Sequence, residues 1–90
     1  MRLDLFLKTS RLITRRSLAQ EFCDKGLVTV NGYAAKSSKD VKAGDEIRLR
    51  RRHEIVTVRI LKIPEKRQIA KFDAPSLFET INVEKIAETP

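Results

Sequence analysis

An asparagine–glycine pair between two short apolar stretches constrains the fold of this chain more than any other feature. In the segment GLVTVNGYAAK, valine and threonine alternate over residues 28–30, and Asn31-Gly32 follows directly. Asn-Gly is the preferred pair for a two-residue type I′ turn, because both central residues of that turn need a positive φ. The pattern predicts a β-hairpin whose second strand returns antiparallel over residues 33–36.

Two helices are predicted before this hairpin. In the first, Leu3, Phe6 and Leu7 fall on one face of a helix over residues 3–9. The charged residues of this segment are expected to point away from that face: Arg2, Asp4 and Lys8. The first helix should therefore bury its apolar face and leave its charges outside the core.

The second predicted helix covers about residues 15–24 and has an unusual first turn. Thr14 is placed as its N-cap, and Gly26 is placed at C′, just after the C-cap. Arg15 and Arg16 fall in the first turn, where the positive end of the helix dipole disfavours cations by about a few tenths of a kcal/mol. A bound phosphate would remove this repulsion and use the free N–H groups of that turn. The alternative is that both arginines simply lie in solvent.

Further strands are predicted after the hairpin. We expect a turn at residues 43–45, then a strand in EIRLRRR with Ile47 and Leu49 inward. The RHE segment is expected to form a loop or bulge, and IVTVRILKI should form a strand that ends at Pro64. These segments predict a small, mostly antiparallel sheet.

The pattern weakens after residue 64. Pro75 is placed at the first position of a short helix. Three apolar residues are expected to dock onto the body of the protein: Leu77, Phe78 and Ile81. The chain is therefore predicted to have an α+β fold, with two N-terminal helices packed on the sheet in an arrangement like the αL motif, and a short C-terminal helix or tail. We expect one domain over residues 1–64 and a short extension over residues 65–90.

The charge of the chain is unevenly distributed. The 90 residues carry a net charge of +7, and residues 1–52 account for all of it, with 13 Lys/Arg against 6 Asp/Glu. Residues 53–90 hold 6 of each and are neutral. This asymmetry suggests one basic face directed at a polyanion such as nucleic acid, whereas a solvated surface or an anionic membrane remain alternatives.

Composition also bounds where the chain works and what chemistry it can do. It has no apolar run near the ~18 residues of a membrane span, and its start lacks a signal-peptide pattern, so we expect a cytoplasmic protein. The lone His53 has no nucleophile motif beside it, and Cys23 is expected to be a packed thiol. Neither a metal-ligand cluster nor a glycine-rich phosphate loop is present. We therefore expect a protein that is not an enzyme and needs no cofactor.

Cations from several elements are predicted to form one RNA-binding site. A single tyrosine and four phenylalanines give little basis for a platform on which single-stranded bases stack. Recognition of phosphates on folded or double-helical RNA fits the composition better. The predicted site residues are Arg2, Lys8, Arg11, Arg15, Arg16, Lys36 and Lys39.

Several motifs resemble the S-four domain, the RNA-binding module named after the fourth small-subunit ribosomal protein. They are RLDLFL at the start, SR before the second helix, RR at its beginning, GLVTVNG in the hairpin, and KSSKDVKAGD after it. The resemblance covers about residues 2–50. By this resemblance residues 1–64 are an RNA-binding domain of the S-four type, in which Arg2, Arg11, Arg15 and Arg16 match basic RNA-facing positions, and Lys8, Lys36 and Lys39 match less closely.

The short form of the chain and its tail APSLFETI resemble the fifteen-kilodalton heat-shock-protein family, especially its RqcP branch. The resemblance implies binding to a large ribosomal subunit that carries an obstructed peptidyl-tRNA, with contacts to ribosomal RNA and tRNA. It also implies work beside the NEMF-type protein RqcH during alanine tailing of the stalled chain, and a monomer off the ribosome.

Three alternative functions remain open. The chain could be a large-subunit recycling factor of the heat-shock type. It could be the RNA-targeting subunit of an RNA-modifying enzyme, which would require a catalytic partner chain. It could also be a protein-interaction adaptor that uses Leu77, Phe78 and Ile81 as an exposed docking patch.

Overall fold

Two helices and an antiparallel sheet form the part of the chain that the computed structural model describes, residues 1–64 and 74–86. The sheet has five strands in the order β2-β1-β3-β4-β5, and every neighbouring pair is antiparallel. This arrangement confirms the predicted α+β fold. The elements are α1 (Leu3–Thr9), α2 (Arg16–Asp24), β1 (Val28–Val30), β2 (Tyr33–Ala34), β3 (Glu46–Arg50), β4 (Glu54–Ile60), a short 3-10 helix (Ala74–Leu77) and β5 (Phe78–Lys85).

The hairpin forms at the predicted turn. Asn31 and Gly32 have φ values of 53° and 89°, as a type I′ turn requires, and Val30 pairs with Tyr33. The second strand ends at Ala34, two residues earlier than predicted. Because β1 also pairs with β3, it lies inside the sheet, between β2 and β3.

Both predicted helices are present, but the second begins at a different residue from the one predicted. α2 begins at Arg16, and its N-cap is Arg15 in an extended conformation, so the prediction that Thr14 caps the helix is wrong. The side chain of Arg15 forms no capping hydrogen bond with this helix. At the other end, Gly26 has a φ of 72° and donates its N–H to the carbonyl of Cys23 at 3.0 Å. That bond, with one from residue 27 to residue 22, forms the Schellman motif expected for a C′ glycine.

The core lies between the helices and one face of the sheet. The apolar face of α1 is fully buried, as predicted, and Ile47 and Leu49 point inward from β3. Cys23 is a buried thiol, as expected, and burial is the main reason why its pKa is raised to about 11. The prediction that Asp4 points away from the packed face is wrong, because its side chain is fully buried against α2.

The C-terminal segment differs most from the prediction. The expected helix is a four-residue 3-10 turn, and residues 78–85 form β5, which pairs with β4 along its length. Leu77 is buried and Phe78 packs against the core, as predicted. Ile81 does not dock, since its side chain is 41% exposed. It lies at a bulge, where the partner of Thr57 is residue 82 and the partner of the next residue is residue 80.

Within the described ranges, neither the helices nor the 3-10 turn has the length and apolar character needed to cross a membrane. Two parts of the predicted extension lie outside the described residues: 65–73 and 87–90. Pro64 follows β4 after a short irregular stretch, so the strand ends earlier than the predicted boundary.

Candidate nucleic-acid interface

One buried carboxylate joins the beginnings of the two helices. Asp4 is fully buried and accepts hydrogen bonds on both of its side-chain oxygens. Arg2 donates from Nε to Oδ1 and from Nη2 to Oδ2, each at 3.3 Å. Arg16 donates from Nε to Oδ2 at 3.3 Å, and Gln20 donates to the same oxygen at 2.9 Å. Two of the predicted RNA-binding arginines therefore share a single acidic partner.

The carboxylate of Asp4 stays ionised despite its burial. Burial, the largest influence, would by itself raise the pKa of Asp4, because it disfavours the charged form. Hydrogen bonds from Gln20, Arg16 and the backbone N–H of Leu5 together outweigh burial, and the charge of Arg16 adds to them. The pKa of Asp4 therefore lies below its ordinary value of 3.8. Because two guanidinium groups share this one carboxylate, the cluster of three side chains keeps a net positive charge.

The loop after β2 brings two further cations to the start of α1. The backbone N–H groups of Leu3 and Asp4 donate to carbonyls of this loop, at residues 39 and 37, over 2.8 and 3.1 Å. These bonds satisfy donors that the first turn of a helix otherwise leaves without partners. Lys36 and Lys39 are exposed on the loop. The backbone of Arg2 forms an isolated β-bridge to the same loop, so the three residues lie at one end of the helix.

The remaining predicted residues lie along α1 and in the linker to α2. Lys8 is half-buried in the last turn of α1, and Arg11 follows with a φ of 63°. Arg15 is exposed and lines an open depression of about 480 Å³ beside the first turn of α2. Over residues 1–64 and 74–86, none of these three residues forms an ion pair with a carboxylate, and neither do Lys36 and Lys39.

Several arginines on the strands or directly after them are neutralised instead by carboxylates on strands of the same sheet. Three such ion pairs are Arg48–Glu84 at 3.7 Å, Arg51–Glu54 at 3.5 Å and Arg59–Glu46 at 3.2 Å. Charge that is paired in this way contributes little to the attraction of a polyanion. We call the seven predicted residues the basic surface: Arg2, Lys8, Arg11, Arg15, Arg16, Lys36 and Lys39.

Sequence reasoning missed three residues that shape the basic surface. Asp4 and Gln20 meet Arg16 only because α1 and α2 pack together, and no spacing in the sequence indicates that contact. Arg51 donates from Nη2 to the backbone carbonyl of Leu12 at 2.8 Å and so holds the linker that leads to α2. The run of three arginines at residues 50–52 was the feature of the sequence that could have drawn attention to Arg51.

The described residues offer no alternative chemistry around a metal. Among residues 1–64 and 74–86, no group of three or more His, Cys, Asp or Glu side chains is arranged to hold a metal ion. Cys23 is buried, and the raised pKa of its thiol keeps it protonated at neutral pH. The basic surface is therefore the candidate site that the geometry favours.

Comparison with known proteins identifies the family of the chain. Residues 1–47 match the sequence profile of the S4 domain. The chain is 46% identical to the RQC P-site tRNA stabilizing factor of Halalkalibacterium halodurans over 99% of both chains. It is 43% identical to the protein of the same name from Bacillus subtilis, over 98% of this chain and 100% of that one. The trimeric structure of Vibrio cholerae heat shock protein 15 has a TM-score of 0.81 and 39% identity, over 89% of this chain and 80% of that chain.

Proposed function

Because the chain belongs to the S4 domain family, we propose that it is an RNA-binding factor of ribosome quality control that stabilises tRNA on the large ribosomal subunit. Two relatives that match along nearly their whole length bear the name RQC P-site tRNA stabilizing factor. Their lengths leave no room for a large additional domain that this chain lacks. The name and the full-length match together support the quality-control role.

The observation that carries the proposal is the basic surface itself. Five of its seven cations form no ion pair among the described residues, and the other two share the one carboxylate of Asp4. A surface of this kind attracts the closely spaced phosphates of folded RNA. We place ribosomal RNA and tRNA against these seven residues. Residues 1–64 would be the RNA-binding unit, and residues 65–90 a short extension whose β5 joins the same sheet.

The finer role follows the same family. The protein would bind large subunits that carry an obstructed peptidyl-tRNA in the cytoplasm, would act beside the NEMF-type protein RqcH, and would support alanine tailing of the stalled chain. It would do so as a monomer off the ribosome, without a cofactor and without catalysing a reaction itself. A recycling role of the heat-shock type is the second candidate, because the fold is shared with the Vibrio cholerae heat shock protein 15.

The two remaining alternatives receive less support. An adaptor that docks partners through Leu77, Phe78 and Ile81 would need all three exposed. Leu77 is buried and Phe78 packs against the core, so of these three residues Ile81 alone is exposed. An RNA-targeting subunit of a modifying enzyme would need a catalytic partner chain. Affinity purification that recovers such an enzyme in stoichiometric amount would favour that role over ours.

Sedimentation of the tagged protein from cells, followed by sequencing of the RNA crosslinked to it, tests the proposal. We expect the wild-type protein on large subunits that carry tRNA, and we expect Arg15→Ala to shift it toward the top of the gradient. Lys62→Ala is the matched control, since it also removes one exposed cation, from the segment after β4, that is not among the seven residues of the basic surface. Wild-type protein that stays free of large subunits, or equal sedimentation of the two variants, would contradict the proposal.

Recovery of RqcH separates the two ribosomal roles. Large subunits purified through the tagged protein should contain RqcH and nascent chains with alanine tails if the protein acts in quality control. Subunits with peptidyl-tRNA but without RqcH or alanine tails would favour the recycling role.

A further inference from the structure

We propose that Asp4 is a positioning residue for RNA binding, which holds one edge of the Arg2 and Arg16 guanidinium groups so that their other edges face phosphate together. This inference rests on the proposed function, because it explains how two arginines of the basic surface are held ready to bind RNA. Asp4 itself would not touch RNA, since its side chain is fully buried.

The atoms used by each arginine support this assignment. A guanidinium group has five N–H donors in a flat fork, and one of its edges contains Nε while another contains both Nη atoms. Arg16 contacts Asp4 through Nε, so both of its Nη groups stay available. Arg2 contacts Asp4 through Nε and Nη2, so its Nη1 group stays available. The free donors can bind phosphate oxygens, for which the Nη edge of arginine has matching geometry.

Each of these contacts joins the buried side chain of Asp4 to an arginine side chain that is partly exposed to solvent. The side chain of Asp4 has 0% exposure, whereas those of Arg2 and Arg16 have 48% and 42%. The guanidinium groups therefore lie at the boundary between the buried acid and solvent. A phosphate approaching from solvent would meet their outer donors without displacing Asp4.

The anchor is fixed from both helices. Asp4 belongs to α1, where the N–H of Leu5 donates to Oδ1 at 2.7 Å. From α2, Gln20 donates to Oδ2 at 2.9 Å. A carboxylate held in this way cannot follow a moving side chain, so the arginines bound to it keep a narrow range of positions. Long side chains that are ordered before binding lose less conformational entropy when the ligand arrives.

Simple electrostatics makes the opposite prediction. Asp4 lies beside two arginines of an RNA-binding surface, and removal of its negative charge would raise the net charge of the protein. If Asp4 only neutralised the arginines, its loss should tighten RNA binding. If it positions them, its loss should weaken binding even though the protein becomes more basic. The sign of the effect therefore separates the two roles.

The first experiment compares Asp4→Asn with Asp24→Asn. Both changes remove one negative charge, and Asp24 is exposed at the end of α2. Affinity would be measured by pelleting the full chain with purified large ribosomal subunits that carry tRNA. We expect Asp4→Asn to weaken binding roughly tenfold or more. Asp24→Asn should bind as well as wild type or slightly better. Binding of Asp4→Asn equal to or tighter than wild type overturns the inference.

A second pair of variants avoids the risk that a change at a buried acid disturbs folding. Arg16→Lys keeps the charge, but an ammonium group is a compact point charge that cannot hold Asp4 along one edge and phosphate along another. Arg15→Lys makes the same exchange at a neighbour that has no contact with Asp4. We expect Arg16→Lys to lose most of the affinity that Arg16→Ala loses, whereas Arg15→Lys should lose a clearly smaller fraction of the affinity that Arg15→Ala loses. Equal fractional losses of the two lysine variants overturn the inference.

A double-variant cycle distinguishes positioning from a general loss of structure. In a chain that already carries Arg2→Ala and Arg16→Ala, the further change Asp4→Asn should leave the residual affinity unchanged, because nothing remains to be positioned. A further loss in that background means that Asp4 acts through the fold as a whole, which overturns the inference.

The proposed function and this inference fail in different ways. If wild-type protein does not bind the subunits, or if Arg15→Ala binds them as wild type does, the proposed function is wrong and the inference is overturned with it. If Arg15→Ala weakens binding but Asp4→Asn does not, the basic surface stands and only the positioning role of Asp4 is wrong.

Discussion

Arg51 donates a hydrogen bond from Nη2 to the backbone carbonyl of Leu12, at a distance of 2.8 Å, although 39 positions separate the two residues. The bond connects the end of β3 to the linker between α1 and α2. Arg51 also forms an ion pair with Glu54 at 3.5 Å, so its guanidinium group is held on two sides. The sheet thus fixes the segment that leads directly to Arg15 and Arg16.

We expect Arg51→Ala to lower the free energy of unfolding by about 1 kcal/mol, because it removes a hydrogen bond from a charged donor at a partly exposed site. Arg52→Ala is the control, since Arg52 is exposed and should change stability by less than about 0.5 kcal/mol. Urea denaturation of the two variants and wild type measures both values. Equal stability of the two variants would show that the bond to Leu12 contributes nothing.

Substitution of Arg11 by glycine is expected to raise the stability of the protein and to weaken its binding to RNA. Its φ of 63° lies in the left-handed region, which costs a residue other than glycine roughly 1 kcal/mol. Arg11→Gly should therefore stabilise the protein by up to about that amount, as thermal unfolding would measure. The same change removes a cation from the basic surface and should weaken binding to large subunits.

Arg11→Ala is the matched variant for this prediction. It removes the same charge but keeps a β-carbon in the left-handed conformation, so binding should weaken without a gain in stability. If the glycine and alanine variants unfold at the same temperature, the backbone at residue 11 is not strained in the way that we infer.

The complex with RNA should be strongly sensitive to salt. If about six cations of the basic surface contact phosphates, the change from 50 to 200 mM salt should lower the affinity roughly a thousandfold. Arg15→Ala should reduce the slope of log affinity against log salt by about one contact. An affinity that hardly changes with salt would indicate that contacts other than phosphate contacts hold the complex together.

The buried Asp4 should make the stability of the protein depend on pH in the acid range. The pKa of Asp4 is lowered in the folded protein, so this group stabilises the fold above its ordinary value of 3.8, and the contribution is lost as the pH falls below that value through the folded pKa. Asp4→Asn should be less stable than wild type at pH 7, and this gap should narrow between pH 5 and pH 2. Urea denaturation at several pH values tests this, and a gap that stays constant would contradict it.

The parts of the fold that were predicted correctly depend on neighbouring residues in the chain. Asn31 and Gly32 determine a turn by their own conformational preferences, and Gly26 ends α2 for the same reason. The inward positions of β3 follow from strict alternation. Each of these signals lies within a few residues, so a single sequence is enough to detect it.

The missed features depend on contacts between distant segments. The burial of Asp4 needs Arg16 and Gln20 from the other helix, and its place between two leucines of α1 gave no sign of them. Strand β5 was missed because the bulge at Ile81 interrupts the alternation that would identify a strand. The seven residues of the basic surface were selected by charge, and whether each one touches RNA stays a prediction.

The bulge in β5 marks a position where the chain could be one residue shorter without a change of register. On one side of Ile81, each residue of β5 keeps its partner on β4 with one offset, and on the other side the offset differs by one. A chain that lacked this single residue would keep every cross-strand pair and every inward position, in an uninterrupted ladder. Deletion of this one residue should therefore leave the core in place, whereas the same deletion in β3 would turn Ile47 or Leu49 outward.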